Sequence, residues 1–460
     1  VLLAVSMPVW AEEDSGSGET VSYEAYLEQL PSQDYANQTI ELSALAGQSD
    51  GEAILRADGE MLVWENAAGG VTWSFEVTQA GRYELEIDYL PLEGDGVAIE
   101  RTVWIDGQLP YREAYGFSLS RRWVRKSDEI QQDNQGNDIR PGLVEEPQEQ
   151  RARVRSADGL YQSPLSFYLS AGTHTLRGIR EPVGICALRL APPGQPAAYA
   201  PAQEAVGEVL PTLKLQAEEA SAVSDQTLYP LSDTYNSYTE PFTMGEKRIN
   251  YIGGYNWRMQ WIEWEFDVEQ AGYYQLIFRA QQNYLVGLPV TRRISVDGAV
   301  PCAEMESVAF PYSNAWYAHT VMAGEEPALI YLSEGTHTLR MEVNLGGLAD
   351  IVRVVRQVAS ELTTMYYKVI MITGTVPDIY RDYQLERRIE GIVEPFESSA
   401  ALLRDLIAQI QEMAGGKVAE IQLLDTMAIQ LESLARDCET LPSRLDNFRE
   451  NFSGLSSWVL

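Results

Sequence analysis

Two periodicities divide the chain. From about residue 40 to residue 346 apolar positions recur at every second residue in short runs. In Thr72–Val77 the apolar Trp73, Phe75 and Val77 alternate with polar residues, Ala80-Gly81 turns the chain, and Tyr83, Leu85, Ile87 and Tyr89 resume the alternation. Successive strand side chains point to opposite faces, so this pattern predicts half-buried strands. Asp106-Gly107 and Asp297-Gly298 predict tight hairpins, because glycine accepts the positive φ of a primed turn. Ala171-Gly172 and Glu334-Gly335 open further strands in the same way.

After about Leu348 the period lengthens. Ile351, Val355, Val358, Leu362, Met365 and Val369 follow the i, i+3/i+4 rule of an amphipathic helix. A Gly/Pro-broken stretch, Gly374–Tyr383, interrupts it. Helical spacing returns in Leu403, Leu406, Ile410 and Met413, and after Gly415-Gly416 in Ile421, Leu424, Met427, Leu431 and Leu434. Pro442 suits a first helical turn ahead of Leu445, Phe448, Phe452 and Leu455. Three or four helices with short breaks predict an antiparallel bundle or a long hairpin.

The strand region is a duplication. Trp73-Ser-Phe-Glu-Val-Thr-Gln-Ala-Gly-Arg-Tyr-Glu-Leu matches Trp264-Glu-Phe-Asp-Val-Glu-Gln-Ala-Gly-Tyr-Tyr-Gln-Leu at an offset of 191 residues. The offset persists through Arg101, Asp106-Gly107 and Pro110 against Arg292, Asp297-Gly298 and Pro301. Tyr168-Leu-Ser-Ala-Gly-Thr-His-Thr-Leu-Arg then matches Tyr331-Leu-Ser-Glu-Gly-Thr-His-Thr-Leu-Arg at 163, so the first copy carries 28 more residues, within 120–162. The chain is therefore expected to be mainly β with α: two antiparallel β-sandwich domains of the jelly-roll kind, then a helical segment. The boundaries fall at 39–191 for copy 1, 192–211 for a Pro-rich linker, 212–346 for copy 2 and 347–460 for the helices. Ahead of them, 1–11 has the apolar run and Val9-Trp10-Ala11 of a signal-peptide remnant, and 12–38 forms an acidic flexible leader. The missing initiator Met and the abrupt stop at Leu460 predict a fragment of a secreted or cell-surface protein.

Charge narrows the partners. With 67 acidic against 34 basic residues the net charge is −33, which repels nucleic-acid phosphates and anionic lipid. No apolar run reaches the ~18 residues of a membrane span, so neither nucleic acid nor membrane insertion is expected. Cys186, Cys302 and Cys438 are sparse and odd in number, which is neither a disulfide framework nor a zinc site.

No catalytic motif such as G-x-S-x-G, H-E-x-x-H, a P-loop or a CxxC pair occurs, and the expectation is a protein that is not an enzyme. His174 and His337 occupy the same repeat position, which favours a role in the frame. Aromatic and amide residues in loops suit sugars, whose C–H faces stack on rings and whose hydroxyls bond amides and charges. In copy 2 these are Asn250-Tyr251, Tyr255, Asn256, Trp257 and Arg258, then Gln281, Gln282, Asn283 and Tyr284, then Tyr312, Asn314, Trp316 and Tyr317. In copy 1 they are Trp123, Asp133, Asn134, Asn137, Asp138 and Arg140. The same aromatics equally suit plugging of the sandwich ends.

Leu215-Gln-Ala-Glu218-Glu219-Ala220 resembles the acidic opening strand of family 6/35-type carbohydrate-binding modules, a galactose-binding-like fold. In those modules a Glu often helps to hold a structural Ca²⁺, which marks Glu218 and Glu219 as candidate ligands by resemblance. The chain as a whole resembles the N-terminal region of long extracellular solute-binding proteins of carbohydrate ABC transporters of Firmicutes. The resemblance rests on Val71-Thr-Trp-Ser-Phe-Glu-Val, Asp133-Asn-Gln-Gly-Asn-Asp-Ile-Arg-Pro141, Phe167-Tyr-Leu-Ser-Ala-Gly-Thr-His-Thr-Leu, Ile370-Met-Ile-Thr-Gly and Tyr380-Arg-Asp-Tyr-Gln-Leu-Glu. It implies a carbohydrate-binding accessory region with three partners: an oligo- or polysaccharide, a C-terminal solute-binding domain missing from this sequence, and a transporter permease. Two alternatives stay open: modules of a glycoside hydrolase or lyase, and a purely structural surface stalk.

Overall fold

A computed structural model describes residues 20–31, 36–66, 69–94, 96–179, 182–200, 211–253, 260–414, 418 and 421–458. The signal-peptide remnant at 1–11, half of the linker (201–210) and the Gly415-Gly416 break lie outside them. The chain divides into two compact units. The first comprises the described residues of 1–123, 144–157 and 163–194; the second takes 124–143, 158–162 and 195–460. Most of the copy 1 insertion thus belongs to the unit built on copy 2.

In the first unit Gly81–Pro91 pairs with Val183–Ala191 on one side and with Gln150–Arg153 and Ser166–Leu169 on the other. Met61–Trp64, Leu55–Asp58 and Ile40–Ser43 extend this sheet. The opposing sheet runs Gln48–Ser49, Gly70–Val77, Gly172–Ile179, Trp104–Ile105. The alternation read from the sequence is the burial pattern: Trp73, Phe75, Val77, Tyr83, Leu85, Ile87 and Tyr89 fill the space between the sheets, while Ser74 and Glu76 face solvent. The outer face of Gly81–Pro91 is not wet, however. Glu84 and Asp88 are buried there beneath arginines, with Arg151 and Arg189 at 2.6 and 2.7 Å from Asp88 and Arg153 at 3.0 Å from Glu84.

In the second unit the main sheet contains Ala222–Val223, Trp261–Val268, Gly335–Asn344, Val290–Val296 and Val308–Phe310 in that order. Three two-stranded pairs complete the sandwich: Tyr229–Leu231 with Tyr251–Gly253, Gly272–Gln275 with Leu329–Leu332, and Ile277–Gln282 with Ser313–Thr320. Registers repeat between copies, Phe75 opposite His174 and Phe266 opposite His337.

The shared residues serve this frame. Asp106 and Gly107 have φ of 51° and 74°, and Asp297 and Gly298 have 51° and 78°, the doubly positive pair of a type I′ hairpin. Each hairpin Asp then receives the His of the last strand, Nδ1 lying 2.7 Å from Asp106 Oδ2 for His174 and 2.7 Å from Asp297 Oδ2 for His337. The other ring nitrogen meets a backbone carbonyl, Ser170 O at 2.8 Å and Ser333 O at 2.9 Å.

A further duplicated feature was invisible in the sequence blocks. Tyr23 N donates to Glu113 Oε2 at 2.7 Å, and the Tyr23 hydroxyl accepts from Ser166 N at 2.9 Å. In copy 2, Tyr199 N donates to Glu304 Oε2 at 2.9 Å, and the Tyr199 hydroxyl accepts from Leu329 N at 3.2 Å. Each tyrosine satisfies an edge-strand N–H at equivalent positions, which blunts an edge that could otherwise recruit another strand. Segments expected to be leader and linker therefore each contribute a tyrosine to the module that follows, and Tyr23–Glu28 is a short helix with Ser22 as its N-cap.

Four long helices follow: Leu348–Thr373, Val393–Ala414, Ile421–Arg436 and Leu445–Trp458. Their apolar stripes converge on one core, including Val355, Leu362, Phe396, Leu403, Ile410, Leu424, Leu431 and Phe448. This is a bundle rather than a hairpin. Pro442 lies inside a 3₁₀ turn, Cys438–Arg444, and the last α-helix begins three residues later. Met413, expected on the core stripe, is exposed instead. Among the described residues no helix is long and apolar enough to cross a membrane.

Candidate carbohydrate-binding surface

Copy 2 gathers aromatic and polar groups where its loop 232–250 meets the strand Ser313–Thr320. Asn250 organises that loop: its Oδ1 accepts from Asp233 N at 2.8 Å, and its Nδ2 donates to Asp233 O at 3.0 Å and Pro241 O at 3.1 Å. Asn250 is buried, so these bonds are made where losing a partner would cost most. Asp233, fixed in this way, accepts the indole N–H of Trp316 at 2.7 Å. Tyr251 stands edge-on to the same indole, 5.5 Å between centroids at 67°. Trp316 is half-buried, held at its polar end and packed at its side.

Polar groups surround it. Gln281 Nε2 donates to Asn314 O at 2.6 Å, Tyr312 donates to Asn314 Oδ1 at 3.1 Å, and Tyr317 donates to Pro311 O at 3.0 Å. Arg279 donates to Tyr238 O and lies 3.8 Å from Glu240. The side-chain bond and charge of Lys214 hold the Glu240 carboxyl below its usual range. Tyr235 and Tyr238, in the same loop, are 98% and 65% exposed.

The other sequence candidates fall elsewhere. Tyr255, Asn256, Trp257 and Arg258 lie outside the described residues. Gln282 is turned inward and makes four bonds, donating to Leu285 O and Leu288 O and accepting from Tyr284 N and Leu285 N, so it shapes the following loop. Asn283 beside it is exposed. Trp123 is only 7% exposed and offers no ring face to a ligand. Burial explains the discrepancy: a large ring beside a polar insertion looks exposed in sequence, yet the ring goes to the core.

The Asp133–Pro141 string is also scaffold. Asp133 accepts from Gln135 N and Asn137 N, at 2.8 and 2.9 Å, and from Asn137 Nδ2 at 2.9 Å. Asn137 Oδ1 and Asp138 then meet the copy 2 segment 247–249. Burial pushes the Asp138 carboxyl up, but bonds from Ile249 N, Gln132 and Arg248 outweigh this and hold it below its usual value. Arg140 stacks its guanidinium 3.9 Å from the centre of the Tyr229 ring. Asn134 is exposed at the loop tip.

Glu218 and Glu219, the candidate calcium ligands, have different surroundings. Glu218 is buried and desolvation pushes its carboxyl up to about 7, whereas Glu219 faces solvent. Calcium takes about 6–8 oxygen ligands, and among the described residues no three His, Cys, Asp or Glu side chains converge.

Sequence reasoning missed Asp233, Tyr235, Tyr238 and Arg279. The available signal was Ser232-Asp-Thr-Tyr235-Asn-Ser-Tyr238-Thr, two tyrosines in a loop of small polar residues.

Several solved structures are similar in part. A β-(1,4)-mannanase of Podospora anserina with a family 35 carbohydrate-binding module is 10% identical with a TM-score of 0.22; the match covers 36% of this chain and 30% of the mannanase. A family 35 carbohydrate-binding module from Clostridium thermocellum is 12% identical with a TM-score of 0.21, covering 33% of this chain and 97% of the module. The C-terminal family 6 module of a laminarinase from Zobellia galactanivorans is 12% identical with a TM-score of 0.20, covering 34% and 99%. No curated protein sequence matches the chain. Residues 350–457, the helical bundle, match the family described as bacterial solute-binding protein, 4-helix bundle domain.

Proposed function

We propose that this chain is a non-catalytic, carbohydrate-binding accessory region of an extracellular solute-binding protein, with its second sandwich holding the glycan. The Trp316–Asp233–Tyr251 cluster carries the reading. An indole tied at its N–H and supported by a second ring is pre-organised to stack on a sugar face at low entropic cost. Exposed Tyr235 and Tyr238 extend the aromatic surface, and amides and charges are near for hydroxyl recognition. The net charge of −33 favours neutral glycans over polyanionic ones. The family match of the bundle supports the transporter setting, in which the further partners are a solute-binding domain and a permease.

Affinity electrophoresis through gels containing soluble mannan, β-glucan, xylan or polygalacturonate tests this. At least one neutral polysaccharide is expected to retard the chain, and Trp316→Ala to migrate as in an empty gel. Free migration in every gel, or equal retardation of the variant, overturns the reading.

A further inference from the structure

The first-copy insertion packs against the second copy at the segment that leads into the Trp316 surface. Gly136 has φ of 80°, a left-handed conformation that favours glycine in this turn. Beyond it the two segments bond as interlocking partners. Lys247 N donates to Asn137 Oδ1 at 2.9 Å, and Asp138 N donates to Lys247 O at 2.9 Å. Arg248 Nη1 donates to Asp138 Oδ1 at 2.9 Å and to Gly136 O at 3.2 Å. Ile249 N donates to Asp138 Oδ2 at 3.0 Å.

Ile249 immediately precedes Asn250, which fixes Asp233, which in turn holds the Trp316 indole. Tyr251 follows Asn250 and packs against that indole. One continuous series of bonds therefore runs from the Asp138 carboxylate, through the backbone of 249–250 and the Asp233 side chain, to the aromatic platform. The Asp138 side chain is 7% exposed, so water does not readily replace these bonds.

We infer that Asp138 is a positioning residue for the copy 2 surface, so that an insertion encoded in copy 1 completes the binding site of copy 2. This rests on the glycan-binding reading of Trp316, but part of its test does not. Support carried by groups that touch no ligand is how binding geometry is held to sub-ångström tolerance.

The test uses the full chain with Asp138→Ala, Asn137→Ala and, as a control elsewhere in the insertion, Asp128→Ala, whose side chain is exposed. The first readout is the Trp316 indole N–H resonance in an ¹⁵N spectrum, assigned with Trp316→Phe. Asp138→Ala is expected to shift it and to speed its exchange with solvent by at least about tenfold, Asn137→Ala to do so less, and Asp128→Ala not at all. The second readout is affinity for the retained polysaccharide, expected to fall about tenfold in Asp138→Ala with stoichiometry unchanged. If Asp138→Ala does not fold, Asn137→Ala, which removes one bond to Lys247 and one to Asp133, decides. An indole resonance unmoved in the folded variants overturns the inference. If the wild-type chain binds no glycan while the resonance moves as expected, the functional reading fails and the positioning role stands.

Discussion

The two sandwiches share a frame and differ in what they leave exposed. Both have the type I′ hairpin whose Asp receives a strand histidine, and both have a tyrosine from the preceding segment that satisfies an edge N–H. Yet copy 1 sends its large rings inward: Trp64, Tyr83, Tyr89, Tyr111 and Trp123 are all buried, and Tyr115 is its one exposed large aromatic among the described residues. Copy 2 leaves Tyr235, Tyr238, Tyr273, Tyr284 and Tyr331 at the surface. Copy 1 has, in addition, given most of its insertion to the unit built on copy 2. The difference teaches that duplication preserved the scaffold while the loops specialised, one copy as support and the other as the candidate reader.

That contrast can be broken most sharply by exchanging the fates of two tryptophans. Trp123→Ala should remove a buried ring and cost about 3–5 kcal/mol of stability, while any glycan binding by the remaining folded protein is retained. Trp316→Ala should lose binding and cost far less stability, because its ring is only half-buried. Denaturant unfolding alongside affinity electrophoresis checks both. The reverse pairing of effects would move the candidate site to copy 1.

The shared frame makes a weaker but signed prediction. His337 meets acceptors at both ring nitrogens, an arrangement that favours the doubly donating, protonated ring. The bond to Asp297 raises its pKa above the ordinary value of 6.5. Stability from this group is fully present below the unfolded value and is lost as pH climbs through the raised folded one. His337→Gln should therefore destabilise by about 1–3 kcal/mol near pH 6, with the difference in Tm from wild type shrinking towards pH 9. A difference that widened with pH would contradict the doubly donating geometry.

Smallest are the tyrosine hydroxyls. Tyr23→Phe and Tyr199→Phe each free one edge N–H while keeping the ring, and each should cost about 0.5–1.5 kcal/mol by thermal unfolding. Similar losses in the two variants would support equivalent roles; a neutral Tyr199→Phe would show that the linker tyrosine is ornamental to copy 2.

What the sequence made legible follows from range. Period-two runs, Asp-Gly pairs and the 3.6-residue stripe of the bundle are local signals, and the sheets, hairpins and helices follow them. The roles of Asp138, Tyr23 and Gln282 depend on partners brought near by folding. Ser166, which bonds the Tyr23 hydroxyl, lies 143 residues from it in sequence. The covered outer face of Gly81–Pro91 goes beyond the half-buried strand expected for the same reason, because the arginines that cover Glu84 and Asp88 come from other strands. At the candidate surface, Trp316, Tyr251, Gln281 and Asn314 were legible as aromatics and amides, though all four lie on strands rather than in the loops expected. Asp233, an acid among many in an acidic chain, was not.

The central claim is that copy 2 alone presents the glycan site. Isothermal titration calorimetry of the full chain with an oligosaccharide of whichever polysaccharide retards it addresses this directly. The account predicts one site per chain, abolished by Trp316→Ala; two sites per chain, or binding that survives Trp316→Ala, would contradict it.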